Sequence, residues 1–169
     1  MNIKIELRDR ELRAALSRLV VAGEDFSPAM VEIAGHLRRA SENAFEQEVD
    51  PSTSEAWAPL SDVTKRLRRK AGKNDTRKLR VDGGLLDSIV ADHDRTSAVV
   101  GTNLVYATTQ HFGARKGEFG SYTNPITGQP HPIPWGDIPA RPFFGFTAGD
   151  ELAISRMLQA HIEGALGRG

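Results

Sequence analysis

The stretch "FSPAMVEIAGHLRRASENAFEQ", residues 26–47, has the strongest period in the chain. Met30, Ile33, Leu37, Ala40, Ala44 and Phe45 recur at steps of three and four, so they share one side of a helix. Glu32, Arg38, Arg39 and Glu46 take the other side. Ser27 suits the N-cap, and Pro28 suits the first helical position, where its missing N–H costs nothing. An amphipathic helix about five turns long must bury its apolar side against another layer. The flanking segments show what that layer is.

Upstream, "NIKIEL" alternates Ile3, Ile5 and Leu7 with polar residues, the period of a half-buried strand. From Asp9 the period becomes helical, with Leu12, Ala15, Leu16, Leu19 and Val20 on one face up to Gly23. Downstream, "VDPSTSEAWAPLSDVT" reads as a loop holding Trp57 and Pro59, then a short helix capped by Ser61. A basic segment, residues 64–80, follows, with nine Lys or Arg against one acid, Asp75. Gly72 and "KND" interrupt it, which predicts a helix, a mobile loop and a re-entry.

A helical turn around Leu85 to Ser88 then leads into two strand-like runs, Ile89 to Asp92 and Ala98 to Gly101, joined at "HDRT". "LVYATTQHFG" is a short helix stopped by Gly113, with Tyr106 and Phe112 expected in the core. Residues 113–139 lack a core period and are rich in Gly and Pro. Structureless loops of that length are uncommon and tend to be functional. "NPITG" suits the tip of a hairpin arm, and the apolar Phe119, Tyr122, Ile126, Ile133 and Trp135 need a surface, which a neighbouring subunit would supply. A last helix starts after Thr147, where "TAGD" has a capping-box shape. Its apolar stripe is Ile154, Met157, Leu158, Ile162 and Ala165.

These elements predict one α+β domain over residues 1–169: a small antiparallel sheet, two N-terminal helices, and a C-terminal helix packed across the sheet, with long extended loops. A chain of 169 residues buries enough surface to fold without metal or disulfide. Cysteine is absent, which excludes disulfides, thiolate metal sites and a cysteine nucleophile. No apolar run approaches the ~18 residues of a membrane span, and the start has no signal-peptide core. The expectation is a soluble protein of the cytoplasm, or of a particle built there.

Chemistry is hard to place on this chain. The histidines 36, 93, 111, 131 and 161 fall in different elements, and no HExxH, nucleophile elbow or P-loop is present. His111 and His131 flank the long loop, but without a carboxylate motif they make a weak site. No catalytic residue, metal or cofactor is expected. The basic segment offers Lys65, Arg66, Arg68, Arg69, Lys70, Lys73, Arg77, Lys78 and Arg80 as a solvated face, as contacts to an acidic partner, or as contacts to DNA. Formal net charge is zero and no aromatics are interleaved for base stacking, so sequence-blind nucleic-acid binding is the alternative reading rather than the first.

Three stretches in this order, "WAPLSDVTKRLRRK", "LRVDGGLLDSIV" running into "VVGTNLVYATTQHFG", and "IPARPFFGFTAGDELAI", resemble the phage virion morphogenesis family, the tail-completion proteins of Mu-like phages and prophages. They cover Trp57 to Ile154. The resemblance implies a non-enzymatic structural protein assembled in the host cytoplasm and carried in the virion. It would complete the tail, or join it at the neck to the head, as a homo-oligomeric ring, here expected to be sixfold. Its partners would be its own copies, other tail and neck proteins, and by way of the basic segment packaged DNA, with no membrane.

The residues around "ARPFFGF" fit that expectation. Pro139 and Pro142 bracket Arg141 and stiffen the chain, and Phe143 is expected to face away from Phe144 and Phe146. Aromatics and arginine are enriched at interfaces. The expected subunit contacts are therefore Trp57, Phe119, Tyr122, Trp135, Arg141, Phe143, Phe144 and Phe146. The plainer alternative is that the three phenylalanines close one core.

Overall fold

A computed structural model describes residues 14, 17, 18, 20, 21, 23, 25–82 and 84–167. The first strand and most of the first helix expected from the sequence lie outside the described residues. Of that helix's apolar face Val20 is described, and it is helical and exposed.

Helix α1 (Ser27–Gln47) is the central element. Ala29, Met30, Ile33, Ala34, Ser41, Ala44 and Phe45 are its buried residues, the side that the three- and four-residue steps mark. Ser27 is the first helical residue and not the N-cap: Phe26 holds the cap position, and the Asp25 carboxylate accepts the Ser27 N–H at 2.9 Å. The helix ends at Glu48 in the left-handed conformation (φ 57°, ψ 43°), whose N–H donates to the Ala44 carbonyl.

Helix α2 (Asp62–Lys70) starts as the sequence predicts, with the Ser61 hydroxyl accepting the Thr64 N–H at 3.2 Å. After the short α3 (Gly84–Asp87) come β1 (Val90–His93) and β2 (Ala98–Gly101), an antiparallel pair running from Val90 opposite Gly101 to His93 opposite Ala98. Ile89, expected as the first strand residue, still closes the α3 turn by donating to the Leu86 carbonyl, and its side chain is buried. The connecting turn belongs to Asp94–Ser97. The Asp94 carboxylate accepts the N–H of Thr96 and both the hydroxyl and N–H of Ser97, which lowers its pKa to about 2.

Helix α4 (Ala107–Phe112) follows, then the strands β3 (Ser121–Thr123) and β4 (Pro130–Pro132), and finally α5 (Ala148–Gly167). The fold is α+β, built from these five helices and two separate two-stranded antiparallel pairs, with further helical residues before Asp25. Helix α1 lies against β1 and β2 on one part of its surface and against α5 on another. The C-terminal helix thus packs on α1, where the sequence reading set it across the sheet. Its stripe is correspondingly half-buried, with Ile162 exposed.

The capping box of α5 forms as expected. Thr147 Oγ1 accepts the Asp150 N–H at 3.2 Å, and the Asp150 carboxylate accepts the Thr147 N–H at 2.7 Å. The other Asp150 oxygen meets His36 Nε2 of α1 at 2.7 Å, so one side chain both caps α5 and ties it to the central helix.

Candidate functional site

Two surfaces follow from the sequence as candidate sites: the aromatic second half and the basic segment. The core decides how the first divides. Phe45, Trp57, Leu85, Ile89, Ala107 and Phe143 form one buried cluster with Ala44, and Phe144 packs half-buried against it. Phe45 sits between two rings, edge-on to Trp57 at 5.5 Å and tilted to Phe143 at 5.2 Å. The Trp57 indole N–H donates to the Pro142 carbonyl at 2.7 Å.

This corrects three of the expected subunit contacts. Trp57 and Phe143 (1% exposed) are enclosed by their own chain, and Arg141 (6% exposed) donates from Nε and Nη2 to the carbonyls of Ala58 and Pro59, each at 3.1 Å. Pro139 and Pro142 hold the chain extended past residues 57–59, so these side chains turn inward to staple two distant segments. Phe144 also differs from expectation: its ring lies 4.7 Å from that of Phe143, on the same core, because this segment is not a strand and its side chains need not alternate. Phe146 is exposed.

The arm keeps its aromatics outside. Its base is closed by Ala114 and Ile138, which exchange N–H···O bonds at 2.9 and 2.8 Å. Gly113 permits this with φ 78°: a Cβ there would stand 2.6 Å from the Ile138 carbonyl oxygen and 2.8 Å from the Ala140 nitrogen. Further out, Phe119 N–H donates to Ile133 O, and Ile133 N–H donates to Gly120 O. Strands β3 and β4 then pair, with Tyr122 opposite His131, and the Asn124 side chain organises the turn by accepting from Ile126 and Thr127. Residues 113–139 are thus an ordered hairpin with "NPITG" at its tip. Phe119, Tyr122, Ile133, Trp135 (66% exposed) and Ile126 (92% exposed) all face solvent.

The sequence reading missed part of this apolar surface. Val105 (93% exposed), Tyr106 and Phe112 (73% exposed) border a hollow of about 600 Å³ with Phe119. Tyr106 and Phe112, expected in the core, lie outside because α4 buries Ala107 and turns His111 toward Phe143. A helix with those two residues inward must project Phe112, one step of about 100° further on, away from the core. That inference was available from "ATTQHF" once Ala107 was known to point inward.

The basic segment is mostly spent on its own fold. Arg68 donates to the carbonyls of Asn74, Arg77 and Lys78. Arg69 pairs with Asp75 at 2.9 Å, Lys73 with Asp82 at 2.5 Å, and Lys65 approaches Asp62 at 3.9 Å. Lys78 Nζ lies 3.2 Å from Glu48, and Arg77 donates to the Glu46 carbonyl. Residues 71–80 are therefore fastened to α1 and α2, where the sequence reading expects a mobile loop. Arg66 and Lys70, exposed on α2, and Arg80 make no ion pair among the described residues.

The loop histidines have separate surroundings. His131 stacks on Tyr122 on the arm, while His111 Nδ1 accepts the Phe143 N–H at the core edge. The described residues hold no group of three or more His, Cys, Asp or Glu placed to bind a metal, and none of their helices is long and apolar enough to cross a membrane.

A model of the phage virion morphogenesis family matches residues 7–163. The chain belongs to that family. It is 28% identical over 166 residues to "Putative capsid assembly protein G" of Escherichia phage Mu, covering 98% of this chain and 96% of that one. It is 30% identical over 162 residues to "Mu-like prophage FluMu G protein 2" of Haemophilus influenzae, covering 95% and 96%. No solved structure matches. The stretches that carry the family resemblance contribute Trp57, Leu85, Ile89, Ala107 and Phe143, and these meet in one cluster.

Proposed function

We propose that this family member is a structural protein of the phage tail-completion or neck region, that its copies join into a ring, and that the arm of residues 113–139 is the joining surface. The observation that carries this is the exposed apolar side of an otherwise well-bonded arm. Hydrogen bonds close the base, the middle and the tip of the hairpin, yet Phe119, Tyr122, Ile126, Ile133 and Trp135 are left facing water. Contiguous exposed apolar surface on a folded protein marks a contact site. The hollow beside Phe112 and Val105 adds to it, and Phe146 extends the set from the expected contacts.

A protruding arm and a hollow at its foot are different surfaces, so copies would meet head to tail. Such contacts close into a ring when the rotation between neighbours permits, and six copies is the count proposed here. The phage Mu relative is named as a capsid assembly protein, which supports a role in building the particle, and the proposal carries no catalytic step.

Native mass measurement of the purified chain, alone and with tails from a phage lacking this protein, tests the reading. A closed oligomer in either sample is the expected result. A monomer in both would overturn it. Titration with duplex DNA at rising salt separates the alternative: steeply salt-dependent binding by the isolated subunit would favour nucleic-acid binding.

A further inference from the structure

A cleft of about 600 Å³ opens between the start of α2 and residues 134–139 at the foot of the arm. Leu60, Val63, Leu79, Ile138 and Trp135 give it apolar walls, and Arg68, Lys78 and Arg141 line it with positive charge. A second hollow of about 370 Å³ shares Arg68, Leu79 and Gln110 with the first, so the two adjoin as one groove.

Positive charge outweighs negative on this groove, with Arg68, Lys78 and Arg141 against Asp82 and Asp137. Arg141 is nearly enclosed, yet among the described residues its side chain donates only to two neutral carbonyls. Among the described residues Arg68 likewise hydrogen-bonds only carbonyls, with Asp75 and Asp82 acting on it from a distance. Burial, and after it the neighbouring Arg68, pushes the Arg141 guanidinium below its ordinary value against a weaker pull from Glu48. The acids nearby are already engaged. Glu48 takes both the N–H and the ammonium of Lys78, Asp75 pairs with Arg69, and Asp82 pairs with Lys73. Asp137 on the cleft lining accepts the Lys116 N–H at 2.8 Å. A nearly enclosed cation with no ion pair among the described residues is costly to keep, and arginine's planar fork fits a carboxylate in two-pronged fashion.

We propose that this groove binds an extended peptide segment of an assembly partner, apolar except for one carboxylate, with the acid seated on Arg141 and Arg68 and its apolar neighbours against Trp135 and Leu60. A nucleic-acid backbone fits less well, because it would set a row of phosphates against apolar walls, where the peptide brings a single carboxylate. The inference does not depend on ring formation by the arm.

The two tryptophans provide the readout, since Trp57 is sealed in the core and Trp135 stands at the groove. The full-length nitrogen-15-labelled chain is titrated with acetyl-Ala-Leu-Asp-Leu-Ala-amide, followed by the two indole N–H resonances. A saturable shift of Trp135 with a Kd below ~1 mM is expected, with Trp57 unmoved and the Asn counterpart of the peptide weaker by about tenfold or more. Val63→Glu, which sets a carboxylate on the wall of the groove, is expected to abolish binding while leaving the Trp57 resonance in place. Should that variant fail to fold, the Asp and Asn peptides on the unaltered chain still decide. No saturable shift, equal binding of both peptides, undiminished binding by folded Val63→Glu, or the same shift with inorganic phosphate or a short DNA duplex would each overturn the proposal.

Discussion

Trp57 donates its indole N–H to Pro142 while its ring meets Phe45 edge-on, so truncating it removes packing and a hydrogen bond together. Trp57→Phe should cost about 1–3 kcal/mol and Phe143→Ala about 3–5 kcal/mol in urea unfolding, both as monomer stability. His111 adds a pH term. Its Nδ1 accepts the Phe143 N–H, which requires a neutral ring, and burial pushes its pKa down against the weaker opposing pull of Asp50. The unfolded chain then binds the proton more readily than the native one. This contribution is complete above the ordinary imidazole value of about 6.5 and is lost as pH falls from there toward the native value. Melting temperature should therefore fall between about pH 7.5 and about pH 5.5, and His111→Gln should flatten that slope. At this scale the sequence singled out Trp57, Arg141 and Phe143 but could not assign their direction. An aromatic beside an arginine suits a core staple as well as a contact, and only the approach of residues 57–59 to 141–143 distinguishes the two.

Gly113 and the α5 cap set the two boundaries of the second half. Gly113→Ala would force a side chain into a left-handed backbone and against the Ile138 carbonyl, a predicted loss of about 2–3 kcal/mol by thermal or urea unfolding. Asp150 is partly desolvated, which pushes its pKa up, but the hydrogen bonds from Thr147 and His36 outweigh this and hold it below the ordinary carboxylate value. Its stabilisation is present above the unfolded value and disappears as pH falls through the native one. Asp150→Asn should cost about 1 kcal/mol at neutral pH, and the deficit should shrink in acid below about pH 3.8. Elements with local signals were legible: the apolar period of α1, the Ser61 cap, the "TAGD" box, the hairpin tip at "NPITG". Elements fixed by distant partners were less so. Ile89 closes a helical turn before its strand begins, and α5 packs on α1, where Asp150 meets His36, a pairing 114 residues apart.

Across the whole molecule, the side chains facing inward account for folding and those on the arm do not. Phe119, Tyr122 and Ile126 are exposed, and each could be polar with little effect on the isolated chain. The triple change Phe119→Ser, Tyr122→Ser, Ile126→Ser should alter unfolding free energy by no more than about 1 kcal/mol, since none of the three is buried. It also leaves the groove at Trp135 untouched. The sequence marked this region through its length and its apolar residues without a core period. It could not show Val105 and Phe112 joining the same surface, because their exposure follows from which side of a six-residue helix meets the core. The decisive measurement is the yield of infectious particles when a phage deleted for its own copy of this protein is supplied with the triple variant. A variant that melts like the parent but yields almost no particles is the predicted result, and a full yield from it would contradict the arm's role in assembly.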